Sequence, residues 1–145
     1  FILLVGILSL IQAFGFSIFN IKPNLALAAI IAVSFFLESV WQGFLLIALS
    51  AFVLKSSPGF SLGLESGILV FSLVSAAAVL IRKYLPWHYF LSNLILIVLS
   101  TLAFYLVLAA NLTLSMLFLE ELVFNLVAGT IIFAFLNFLW QNKTA

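Results

Sequence analysis

FLSNLILIVLSTLAFYLVLAA, residues 90–110, is the stretch that decides the architecture. It carries no charged residue, and positions 94–99 and 102–110 are apolar one after another. A strand of a membrane barrel would alternate apolar and polar residues over about ten positions. This run does not alternate, so it reads as a helix. Its length suits the ~20 apolar residues with which an α-helix crosses a hydrocarbon core of about 30 Å. Inside that core every backbone amide must be paired within the structure, and a helix pairs its own.

The rest of the chain has the same character. Hydrophobic residues make up 67% of it and charged residues 6%, with a mean hydropathy of +1.44. A soluble domain carries roughly 25% charged residues. Too few polar side chains exist here to cover a water-facing surface, so lipid must be the solvent for much of it. In 145 residues there is room for about five or six spans of ~20 residues and no soluble domain. The expectation is an all-α, polytopic membrane bundle of about six transmembrane helices, a single domain over residues 1–145. Phe1 already stands inside an apolar run with no initiator Met, so a short missing N-terminal piece is also expected.

Breaks between the apolar runs set the helices. Residues 1–19 read as the first, stopped by Asn20-Ile21-Lys22-Pro23-Asn24, because proline disfavours helix at the residue before it and suits the start of the next. The second covers 24–37, Glu38-Ser39-Val40-Trp41-Gln42-Gly43 forms a polar break, and the third runs on to Leu54 before the turn Lys55-Ser56-Ser57-Pro58-Gly59. Residues 62–81, 90–110 and 114–140 make the last three. The second and third are short for the bilayer, as thinned spans or as a re-entrant hairpin.

Six helices place Arg82, Lys83 and Lys143 on one side and Lys22 and Lys55 on the other. Trp41, Trp87 and Trp140 join the Arg82 side, as an interfacial belt would. Both termini are therefore expected to be cytoplasmic.

Few residues suggest chemistry. With no cysteine, disulfides and thiolate metal sites are excluded, and a net charge of +1 gives no nucleic-acid footprint. The chain has no aspartate and a single histidine, His88, which reads as a polar belt residue. Glu120 and Glu121 are adjacent and point about 100° apart on a helix, so they cannot share a proton as a catalytic dyad does. No catalytic, cofactor-binding or metal residue follows, and an enzyme is not expected.

Candidate binding residues are of two kinds. Glu121 and Asn125 lie four apart on one helix face. They read either as a contact point for a partner's helix or as an internal pairing, for which Lys55 is the expected partner of Glu121 or Glu65. Gly63 and Gly67 form a small-xxx-small pattern that permits close helix approach, and Ala28 and Ala32 repeat it. Arg82 and Lys83 read as topology anchors that touch anionic lipid head groups, and Glu38 as a solvated loop charge.

The layout resembles the rod shape-determining protein MreD family. The likeness rests on Ile21-Lys22-Pro23-Asn24 closing a first helix, and on two short apolar helices split at Glu38…Trp41-Gln42-Gly43. Ser57-Pro58…Leu62-Gly63 then leads into a long helix, and Glu121…Asn125 lies within a long final one. Asn24 stands where the family commonly has an aspartate. The resemblance implies a non-enzymatic subunit of the bacterial cell-elongation machinery in the inner membrane. It would bind an MreC-like bitopic protein and, through it, work with MreB-like, RodA-like and transpeptidase proteins in peptidoglycan synthesis. The alternative is the substrate-binding subunit of an energy-coupling-factor vitamin transporter, with Ala28…Ala32 as a docking patch. Its outer face would draw on Asn20, Lys22, Asn24, Lys55, Glu65, Asn111 and Glu121.

Overall fold

Ten consecutive residues, Leu25–Ser34, form a helix in which every position is buried. In the computed structural model, which describes residues 1–18, 21–56, 64–85, 88–113 and 115–144 (backbone alone for 64, 65 and 142–144), this helix is the axis of the molecule. Six α-helices are described: α1 (Ile2–Ala13), α2 (Leu25–Ser34), α3 (Val40–Lys55), α4 (Leu64–Ile81), α5 (Tyr89–Leu108) and α6 (Met116–Thr144). All five others pack on α2. Around it, α1 packs on α3, α3 on α4, α4 on α5 and α5 on α6. Among the described residues α6 and α1 make no comparable contact, so the ring stays open there.

The all-helical expectation holds, and the span count is coarser than expected. Three helices are long and apolar enough to cross a membrane: Ser66–Tyr84, Tyr89–Leu108 and Met116–Gln141. Much of each faces outward; on α6, Leu119, Val123, Val127, Ile131 and Phe135 form an exposed apolar stripe. Helices α1, α2 and α3 are shorter. At 1.5 Å per residue α2 is only about 15 Å long, so it fills part of the bundle's depth and no more.

The local sequence explains two corrections. The first helix ends at Ala13, not near residue 19. Gly15 adopts a left-handed φ of 76°, its N–H donates to Gln12 O (3.0 Å), and that of Phe16 donates to Ile11 O (3.3 Å). This is a Schellman termination, which favours glycine because no Cβ opposes positive φ. The third helix starts at Val40, so Trp41, Gln42 and Gly43 lie inside it. Ser39 caps it: its hydroxyl accepts from Gln42 N–H while the Gln42 side chain reaches back to the Ser39 N–H, a capping box.

Lipid offers helices little hydrophobic reason to associate, so close packing must do so. Gly129 on α6 shows how. A Cβ there would lie 2.2 Å from Ile97 Cδ1 on α5 and 3.8 Å from the Ala28 methyl on α2. Gly43 performs the same task between α3 and Val79 of α4, with a Cβ position 2.7 Å from the Val79 methyl. Ala28 and Ala32 are buried in the core, which takes them out of any external docking patch.

Candidate functional site

The N-terminus of α2 is buried, and a helix leaves its first N–H groups without partners inside itself. In lipid each unpaired group costs several kcal/mol. Here they are all met. The Leu25 N–H donates to Pro23 O (3.0 Å). Gln12, from the last turn of α1, accepts from the Ala26 N–H through its Oε1 (2.8 Å). Asn24 Oδ1 accepts from the Leu27 N–H (3.2 Å), the N-cap bond expected of asparagine.

Asn24's own N–H donates to Asn125 Oδ1 (2.8 Å), deep inside α6. The Asn125 amide donates in turn to Thr101 Oγ1 on α5 (3.2 Å). One turn along each helix, the Tyr105 hydroxyl donates to Glu121 Oε2 (2.5 Å). The two four-residue spacings, 101/105 and 121/125, align one face of α5 with one face of α6. This knot ties the ends of α1, α2, α5 and α6 together.

The expected sites are thereby redistributed. Asn125 is 1% exposed and Glu121 is half-buried, so their face of α6 is turned to α5 and α2. Glu121 pairs with Tyr105, where Lys55 was expected. Gly67 is half-buried on α4; Gly63, Trp87 and the Glu65 side chain lie outside what is described. Arg82 is not a head-group anchor: it is 8% exposed, in a 3-10 turn after α4, and its Nη2 donates to Leu37 O (3.3 Å) beyond the C-terminus of α2. Lys83 and Glu38 are exposed. His88 is the N-cap of α5, its Nδ1 accepting from the Phe90 N–H (3.4 Å).

The opposite end of α2 was missed in the sequence. There Phe133 of α6 meets Phe35 (5.9 Å), Phe36 (5.2 Å) and Phe90 (6.0 Å) between ring centroids. Phe35 also meets Tyr89 (6.1 Å), and Phe36 meets Trp140 (6.2 Å). The rings are tilted or edge-on, as their quadrupoles favour. Two grooves, of about 700 and 900 Å³, open beside them. The one available signal was the Phe35-Phe36 pair directly after a short helix, which in an aromatic-rich chain does not stand out.

Among the described residues no His/Cys/Asp/Glu group could hold a metal ion. The central helix thus has a hydrogen-bonded polar lock at one end and an aromatic-walled opening at the other. Compared with family models, curated proteins and solved structures, the chain finds no match.

Proposed function

We propose that this chain is a non-enzymatic scaffold subunit of the bacterial cell-elongation machinery, of the MreD kind, held in the cytoplasmic membrane and binding an MreC-like single-span protein. The observation that carries the reading is the helix order: a first helix followed by Ile21-Lys22-Pro23-Asn24, two helices too short for an ordinary span, then three long ones. In this reading all six helices lie within the bilayer, the first three shorter than its hydrocarbon core, with both termini cytoplasmic. RodA-like, transpeptidase and MreB-like proteins join through the partner.

The interior favours a scaffold over the vitamin-transporter subunit. Asn24 and Glu121, two of the polar groups that an outer vitamin pocket would draw on, are engaged in holding α2, α5 and α6 together. With Asn125 enclosed as well, the remaining expected docking face is that of Gly67 on α4, where a small residue allows a partner's helix to approach.

The test is affinity purification of the tagged chain in mild detergent, with mass spectrometry of its companions. A single-span MreC-like protein with cell-wall synthases is the expected result, abolished by Gly67→Leu while the bundle still inserts. Recovery of an ATPase pair with a larger transmembrane subunit overturns the reading in favour of a transporter.

A further inference from the structure

The two grooves exist because α2 is too short to fill the ring around it. It ends at Ser34, and Phe35, Phe36 and Leu37 occupy only part of the space beyond. The first groove lies between this connection, the start of α5 and the last turns of α6. The second lies in the gap between α1 and α6, against the start of α3. Both are lined by Phe36, Leu37, Glu38 and Trp140, so these residues form a ridge with a groove on either side.

Charge is distributed unevenly over this ridge. Glu38 is exposed, and its carboxylate has no hydrogen bond or ion pair among the described residues. No lysine or arginine lines either groove among those residues. The other polar lining is mostly neutral, with Gln42 in one groove and Asn137 and Tyr89 in the other.

We propose that the paired grooves bind one phospholipid with a zwitterionic, ammonium-bearing headgroup, an acyl chain in each groove and the ammonium between Glu38 and the Trp140 ring. A carboxylate beside an indole face suits an ammonium, through opposite charge and through the ring's quadrupole. The amide donors of Gln42 and Asn137 suit the phosphate of the same headgroup. An anionic lipid would meet the Glu38 carboxylate, while the nearby Arg82 is buried and turned to Leu37 O. A protein helix, about 10–12 Å across with its side chains, needs one continuous trough, and the Phe36–Trp140 contact divides this one. Both volumes fall within the ~300–1,000 Å³ of small-molecule sites, and tryptophans mark the depth at which headgroups lie. The inference requires only that the bundle sits in lipid and stands apart from any role in cell elongation.

The test uses the full chain in mild detergent, offered phosphatidylethanolamine, phosphatidylcholine and phosphatidylglycerol with identical acyl chains. Native mass spectrometry reads retention, and thermal unfolding reads stabilisation. The two ammonium lipids should be retained about tenfold better than phosphatidylglycerol. Glu38→Gln should remove that preference, and Glu120→Gln, toward the far end of the bundle, should keep it. Ethanolamine above choline assigns the selectivity to N–H donation to Glu38, and equal retention assigns it to the ring; both support the site. Retention indifferent to headgroup makes the grooves ordinary annular surface and overturns the proposal. So does a preference that survives Glu38→Gln, or displacement of all three lipids by a co-purifying helix or small molecule.

Discussion

The two ends of α2 solve one problem in opposite ways. At its N-terminus, side chains from α1 and α6 and its own Asn24 cap meet the N–H groups that the helix cannot pair itself. Beyond its C-terminus Arg82 donates to Leu37 O, Gln42 accepts from the Glu38 and Ser39 N–H groups at the start of α3, and phenylalanine rings fill the space between the helices. Of the buried side-chain groups without a partner, Arg82 Nη1, in the turn after α4, and both amide atoms of Asn93, in the first turns of α5, lie toward this second end, Ser75 Oγ lies on α4, and Thr113 Oγ1 follows α5. Hydrogen bonds are directional and leave one arrangement, whereas rings slide and tilt at little cost. The polar end therefore specifies the fold, and the aromatic end is left the more adaptable of the two.

Asn125→Leu should have the largest effect. It removes the acceptor for the buried Asn24 N–H together with the donor to Thr101. An orphaned buried donor costs about 1–3 kcal/mol and more when several groups are involved, so a loss of roughly 3 kcal/mol is expected in detergent unfolding. A loss below about 1 kcal/mol would mean that the knot is ornamental and the two ends are alike.

That knot was half legible beforehand. The spacing of Glu121 and Asn125 marks one helix face, and Asn24 after Pro23 marks a helix start. What joins them is tertiary, and lipid hides it. In water a helix shows its buried side as an apolar stripe. Residues 25–34, LALAAIIAVS, are apolar or small all round, and so are the lipid-facing helices. Polarity then cannot tell an axis from a periphery. Size gives a weaker hint, since Ala26, Ala28, Ala29 and Ala32 let five neighbours approach. The ends of the first and third helices were readable from Gly15 and Ser39, but an unbroken apolar run outweighs one glycine or one serine when judged by hydropathy.

Gly129→Ala tests close packing next to the knot. Its methyl would overlap Ile97 Cδ1, which has to leave its present position. Overpacking of this kind costs about 1–3 kcal/mol. Ile97→Ala in the same chain should restore part of that loss, giving a coupling energy of at least ~0.5 kcal/mol in a double-mutant cycle. Strict additivity would place the cost elsewhere than in this contact.

Gln12→Ala isolates one strand of the lock. It leaves the buried Ala26 N–H without its acceptor, at the cost of about 1–3 kcal/mol that an orphaned buried donor carries. Hydrogen exchange at Ala26 should speed up while that at Val33, near the other end of α2, stays unchanged. Equal acceleration at both would show that α2 opens as a unit and has no stronger end.

The sharpest comparison comes from a second buried asparagine. Asn93 on α5 is fully enclosed, as Asn125 is, but neither atom of its amide finds a partner. Replacing an unsatisfied buried polar group by an apolar one of similar shape is close to neutral or stabilising. Asn93→Leu should thus leave stability unchanged or raise it by about 1 kcal/mol, opposite in sign to the same substitution at Asn125. The difference follows from partners alone, since residue type and burial match. If Asn93→Leu instead destabilises as much as Asn125→Leu, its amide is held by buried water, which needs two to four polar contacts to stay. Ser75 on α4 and Arg82 Nη1 in the turn after it are unpartnered groups that could provide them. The aromatic end would then carry a hydrated lock of its own, and its adaptability would have to reside in the rings around Phe133 alone.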